Sequence, residues 1–90
     1  SIINGVGATV TATVKDNIGV EGVTLFYRME GEDNFKSVPM NNTTGNYYNA
    51  HINAEDITVG NLQYYIEATD GINYAYNGSV TEPNVIPVRV

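Results

Sequence analysis

Few side chains in this sequence are equipped for chemistry. His51 is the single histidine and there is no cysteine, which removes thiolate nucleophiles, disulfides, thiolate metal sites and any multi-histidine metal centre. A serine–histidine pair would have to draw on Ser1, Ser37 or Ser79. None of them sits in a G-x-S-x-G elbow, the strained turn that presents a nucleophile. His51 lies between Ala50 and Ile52 on the outward phase of an alternating stretch, where a surface role is expected. Glycosidase chemistry needs two carboxylates roughly 5–10 Å apart across a cleft. The chain has ten acids, but nearly all fall in turn-like segments, so no enzymatic activity is expected. Calcium remains an open question, because it takes several hard oxygen ligands from Asp, Asn and backbone carbonyls in loops.

The elements that must position these groups are strands. The 90 residues are 42% hydrophobic and 16% charged, too apolar for disorder. No apolar run approaches the ~20 residues of a membrane-spanning helix. The net charge of −6, with four Lys and Arg in all, argues against a nucleic-acid partner, since phosphate binding needs a basic patch. Val, Ile, Thr, Tyr and Phe dominate. Period-2 alternation recurs between turn signals, the pattern of an all-β sandwich or barrel. In Thr9–Lys15 the residues Val10, Ala12 and Val14 share one face. Val23, Leu25 and Tyr27 do so in Val23–Arg28, with Phe26 and Arg28 on the other side. Tyr48, Ala50 and Ile52 point inward in the stretch 46–53, and Leu62, Tyr64, Ile66 and Ala68 in the stretch 62–69, leaving Tyr65 and Glu67 outward. Phe35–Met40 reads as a short strand with Val38 and Met40 inward. Pro39 and Pro87 have no N–H for a ladder, which predicts edge positions for their strands. Residues 41–45 read as a loop, 54–60 as a corner with room for one helical turn, and Asp70-Gly71 as a hairpin turn leading to a return strand over 72–77. With residues 1–4 as an opening strand, the count is seven or eight.

The segments Val10-Thr11-Ala12-Thr13-Val14-Lys15-Asp16-Asn17, Gly19-Val20 and Val23-Thr24-Leu25-Phe26-Tyr27-Arg28 resemble the second and third strands of bacterial immunoglobulin-like and fibronectin type III-like modules. Gly45–Ile52, reading G-x-x-Y-x-A-x-I, and Tyr64-Tyr65-Ile66-Glu67-Ala68-Thr69-Asp70-Gly71 resemble later strands and a turn of the same modules. Pro83–Val90 resembles their closing strand. The lack of Trp and Cys sets the chain apart from antibody domains. The resemblance implies one domain over residues 1–90, an antiparallel β-sandwich of about seven strands with Greek-key connections. It also implies a piece of a longer, exported or cell-surface bacterial multidomain protein, such as a glycoside hydrolase. Its partners would be neighbouring domains of the same polypeptide, or polysaccharide or cell wall, with no membrane insertion.

Two surfaces follow from that implied topology. One pole would gather Asp16, Asn17 and Glu21 near Asp70, with Asp16, Asn17 and Asp70 the weak calcium candidates. Turn chemistry accounts for these residues without a metal, and no cofactor is expected. The second surface is the outward row Phe26, Arg28, Tyr65 and Glu67 on neighbouring strands, with Arg28 and Glu67 expected to pair. Cross-strand aromatic pairs stabilise sheets, and they also pack on a neighbouring domain or a sugar ring. The expected role is a non-catalytic spacer, with a carbohydrate- or cell-wall-binding module as the alternative.

Overall fold

A computed structural model of the chain describes residues 2–3, 7–14 and 20–89. Nine strands lie among them: β1 (Ile2–Ile3), β2 (Ala8–Thr13), β3 (Gly22–Met29), β4 (Lys36–Pro39), β5 (Asn41–Thr44), β6 (Tyr47–Ile52), β7 (Gly60–Thr69), β8 (Tyr74–Asn77) and β9 (Asn84–Arg89). A single 3-10 turn, Ala54–Asp56, joins β6 to β7. One sheet runs β1-β9-β7-β3-β4, with β8 also paired to β7. The other runs β2-β6-β5. All pairings are antiparallel except β1 on β9. The chain crosses between sheets after β1, β2, β4 and β6, so sequential strands are often not spatial neighbours. The fold is an all-β antiparallel sandwich with the immunoglobulin-like Greek-key order.

Alternation puts the core where the two sheets face each other. β3 contributes Val23, Leu25, Tyr27 and Met29, all buried, and its partner β7 contributes Leu62 and Ile66. From the second sheet Val10 and Ala50 face each other across the β2–β6 ladder, beside Ile52. Ala12, Val14, Tyr48, Tyr64 and Ala68 are expected core positions that are only half-buried at the margin of the cluster. Burial of this surface, at roughly 25 cal/mol per Å² of apolar area, is the main favourable term for the fold.

Several expectations are corrected. There are nine strands among the described residues rather than seven or eight, because one short segment expected as a loop pairs as a strand. Residues 41–44 form an edge strand instead of a loop. Met40 alone links β4 to β5. Its side chain is buried, and its N–H donates to the Val23 carbonyl at 2.8 Å. The chain thus changes sheet within one residue, and a polar Asn-Thr run can still pair at this exposed edge, where Asn42 Nδ2 and Thr43 Oγ1 both donate to the Tyr47 carbonyl of β6, at 3.1 and 3.2 Å. The return strand after Asp70-Gly71 starts at Tyr74, since Ile72 and Asn73 belong to the turn. Pro39 does lie in an edge strand, whereas Pro87 lies in β9, between β7 and β1. Among the described residues β1 pairs with Val88 and Arg89, beyond Pro87.

Ile57 is the core residue that alternation does not reveal. It follows the 3-10 turn, donates its N–H to the Ala54 carbonyl at 3.1 Å, and is 2% exposed. It closes the end of the sandwich where the chain passes between sheets. Truncating such a side chain removes contacts and leaves a cavity, so Ile57→Ala is expected to cost about 2–5 kcal/mol in urea unfolding. Val59→Ala, at a position 52% exposed, should stay within about 0.5 kcal/mol. Equal effects at the two sites would contradict Ile57 as a core plug.

Candidate functional site

The outward row of the larger sheet is set by the β3–β7 register. Thr24 stands opposite Glu67, Phe26 opposite Tyr65, and Arg28 opposite Gln63. The four residues of the expected contact surface therefore share one face. Phe26 and Tyr65 stack with ring centroids 4.7 Å apart and planes 9° from parallel. Phe35, from the segment before β4, meets Tyr65 edge-on at 5.0 Å and 74°. The Arg28 guanidinium covers the Phe35 ring at 4.1 Å from its centroid. These rings are thus engaged mainly with one another and with a cation.

The expected Arg28–Glu67 pair does not form. Register puts the two residues on opposite sides of the Phe26–Tyr65 stack, four positions apart, or about 14 Å at ~3.4 Å per residue. Arg28 instead donates from Nε to Gln63 Oε1 at 2.8 Å and from a terminal nitrogen to the Asp33 carbonyl at 3.3 Å. Glu67 accepts a hydrogen bond from the Tyr76 hydroxyl at 3.0 Å. That bond raises the Tyr76 phenol above its ordinary pKa, since ionising it beside a carboxylate is unfavourable. Phe35 and Tyr76 are the members of this face that sequence reading missed. Phe35 immediately precedes Lys36, the partner of Tyr27 in the β3–β4 ladder. Tyr76 faces Glu67 across the hairpin made by Asp70-Gly71. Each follows once the pairing is known.

At the expected calcium pole, Asp70 shapes the turn. Its Oδ1 accepts the N–H groups of Ile72 at 2.9 Å and Asn73 at 2.7 Å, and these bonds, Asn73 foremost, hold its carboxyl below the usual range. Gly71 has φ +95°, and a Cβ there would collide with the Glu21 carboxylate, so Glu21 does reach the turn as expected. Asp16 and Asn17 lie outside the described residues. Among the described residues no three His, Asp or Glu side chains come together as a metal-binding set.

The remaining chemical candidates serve local structure. His51 Nδ1 lies 3.3 Å from Thr9 Oγ1, and its ring fills the space that a Cβ on Gly7 would need. Asp56 links Tyr27, whose hydroxyl donates to it at 3.0 Å, to Lys36 at 2.8 Å. Lys36, followed by Tyr27, pulls the Asp56 carboxyl below its ordinary 3.8. Burial, reinforced by Asp56, pushes the Tyr27 phenol up.

No protein-family model matches the chain, and no curated protein matches it significantly. The strand order and the side-chain geometry are therefore what characterises this molecule: a β-sandwich with one aromatic outer face.

Two measurements test this geometry. In a double-mutant cycle, Phe26→Ala and Tyr65→Ala should couple by about 0.5–1.5 kcal/mol, and additive effects would show that the stack contributes nothing. The Lys36–Asp56 pair is partly exposed, so its contribution is screened by solvent. Its sign is nonetheless determined. A carboxyl depressed on folding adds stability that is complete above its unfolded pKa and lost as pH falls through the folded one. Lys36→Met should raise the Asp56 pKa in an NMR carboxyl titration. The stability gap between wild type and variant should narrow as pH drops below about 4, near the ordinary Asp value. An unchanged Asp56 titration would refute the pair.

Proposed function

We propose that this chain is a non-catalytic structural module of an exported multidomain protein, holding neighbouring domains at a set distance and orientation. The observation that carries this reading is chain direction. β1 and β9 are parallel neighbours, so the polypeptide runs through its first and last strands in the same sense, an arrangement suited to domains strung in line. The chemistry of the side chains is in keeping with it. His51, Asp56, Asp70 and Arg28 each bond to a group that shapes a strand, a corner or a turn. The placement outside the cell, and in a bacterial polysaccharide-degrading enzyme or surface protein, rests on the resemblance of the strand motifs. The aromatic face of Phe26, Tyr65 and Arg28 is the surface offered to a neighbouring domain, because a rigid, stacked cluster loses little conformational entropy on contact.

The test is made in the parent polypeptide. Replacing the module with a flexible Gly/Ser linker of similar span should leave turnover of a small soluble substrate unchanged and broaden the interdomain distance distribution in small-angle scattering. Loss of turnover in Asp56→Asn or Glu67→Gln, with the module still folded, would overturn the spacer reading.

A second reading, a carbohydrate- or cell-wall-binding module, has support in one place. A hollow lies beside Tyr65, on the face that also carries the exposed Tyr76.

A further inference from the structure

That hollow originates in an interruption of the sheet. β8 and β9 pair in succession along the same edge of β7. Asn77 stands opposite Ile66 and Asn84 opposite Tyr64. On β7 only Tyr65 lies between those two positions, whereas six residues, 78 to 83, lie between them on the facing strand. An ordinary bulge inserts one residue. Here the chain makes a full excursion, leaving Tyr65 without a cross-strand neighbour on that side.

The excursion is held in shape by its own bonds. Asn84 Nδ2 donates to the carbonyl and to Oδ1 of Asn77, at 3.3 and 3.1 Å, which closes the neck. Ser79 N–H donates to the Glu82 carbonyl at 3.2 Å, and Glu82 N–H returns a bond to Ser79 Oγ at 3.0 Å. Gly78 has φ +83°, and a Cβ there would stand 3.1 Å from Tyr65 Cβ and 2.9 Å from Asn84 Nδ2. The backbone is thus pressed close against Tyr65, at a position where only glycine fits. Between this loop and the sheet is a hollow of about 360 Å³ lined by Tyr65, Glu67, Tyr76, Ser79, Val80 and Thr81. That volume is within the range of small-molecule sites, roughly 300–1,000 Å³. Tyr76 and Val80 are 59% and 54% exposed, and nothing in the core uses them.

We infer that this hollow is a binding site for a neutral pyranose unit of a polysaccharide. The inference rests on the second functional reading and moves its site from the Phe26–Tyr65 stack to the space between Tyr65 and the loop. The lining pairs apolar surface from two phenol rings and a valine with a few polar groups at the margin, the division that orients a small ligand. A pyranose presents a C–H face to an aromatic ring and hydroxyls at its edge. Glu67 uses Oε2 toward Tyr76, leaving Oε1 to accept from a sugar hydroxyl, and the loop contributes Ser79 and Thr81 to the lining, their hydroxyls 3.4 Å apart. An anionic ligand is disfavoured by Glu67 and by the chain's net charge of −6. A quaternary ammonium would suit the rings and the carboxylate, but it has no hydrogen bond to exchange with the hydroxyls.

Titrating the 90-residue chain by amide NMR with cello-, xylo-, manno- and chitohexaose, and separately with tetramethylammonium chloride, decides the matter. At least one oligosaccharide should shift Tyr65, Glu67, Tyr76 and residues 79–81. Glu67→Gln and Tyr76→Ala should each weaken that binding at least tenfold, with dispersed spectra showing that both variants remain folded. Tyr47→Ala, at an exposed tyrosine of the other sheet, should leave binding unchanged. A sugar that binds and shifts other residues keeps the carbohydrate reading and overturns this site. Binding of none of the four sugars overturns both, and binding of tetramethylammonium alone replaces the sugar with a cation.

Discussion

The pairing of β3 with β7 is the constraint on which the other features depend. Eight consecutive residue pairs, from Gly22↔Thr69 to Met29↔Leu62, join the two longest strands. Side chains alternate across a sheet, so this one register determines two surfaces at once. Val23, Leu25, Tyr27 and Met29 meet Ala68, Ile66, Tyr64 and Leu62 on the inside, while Phe26 meets Tyr65 on the outside. A slip of one residue would send the core to solvent and the stack to the interior. The hydrophobic cost of that exchange holds the outer aromatic face in place even though that face contributes little to the core.

The smaller sheet is bound to this pair mainly through side-chain packing, and the places where the chain changes sheets carry much of the specificity. Met40 makes one crossing in a single residue, with its side chain in the core and its N–H on Val23. The 3-10 turn and Ile57 make another. Tyr27 joins the two devices. Its ring is in the core, and its hydroxyl reaches Asp56 at the turn, where Lys36 of the edge strand completes the contact. The corner is thereby held by one buried ring that strand alternation places, and by one carboxylate and one surface cation that alternation alone does not bring to it.

The edge of β7 beyond this pair is divided between two strands. β8 follows from the tight turn at Asp70-Gly71, which Asp70 closes with two backbone N–H groups. β9 follows after the excursion over 78–83. An uninterrupted partner would have covered Tyr65 from that side. The interruption exposes surface at some cost in ladder hydrogen bonds, and it gives the sheet a recess with polar and aromatic walls where a regular sandwich is flat.

Much of this architecture is legible in the residues themselves. Alternation in Thr9–Val14, Val23–Arg28 and Leu62–Thr69 is enough to assign inner and outer faces, because the period of two is a local property of the extended backbone. Asp70-Gly71 identifies its turn for the same local reason. The sequence could also place Phe26 and Tyr65 on an outer face. It could not show that they stack, that Arg28 turns away from Glu67 toward Gln63 and Phe35, or that Asn41–Thr44 is a strand. Those depend on which residue stands opposite which, and pairing is settled between segments tens of residues apart. Ile57 is buried without any periodic signal, since its position follows from the crossing between sheets and not from a strand. The recess beside Tyr65 is non-local in the same way. It exists because residues 77 and 84 take neighbouring places on β7, and only the folded sheet brings those two ends of the loop together.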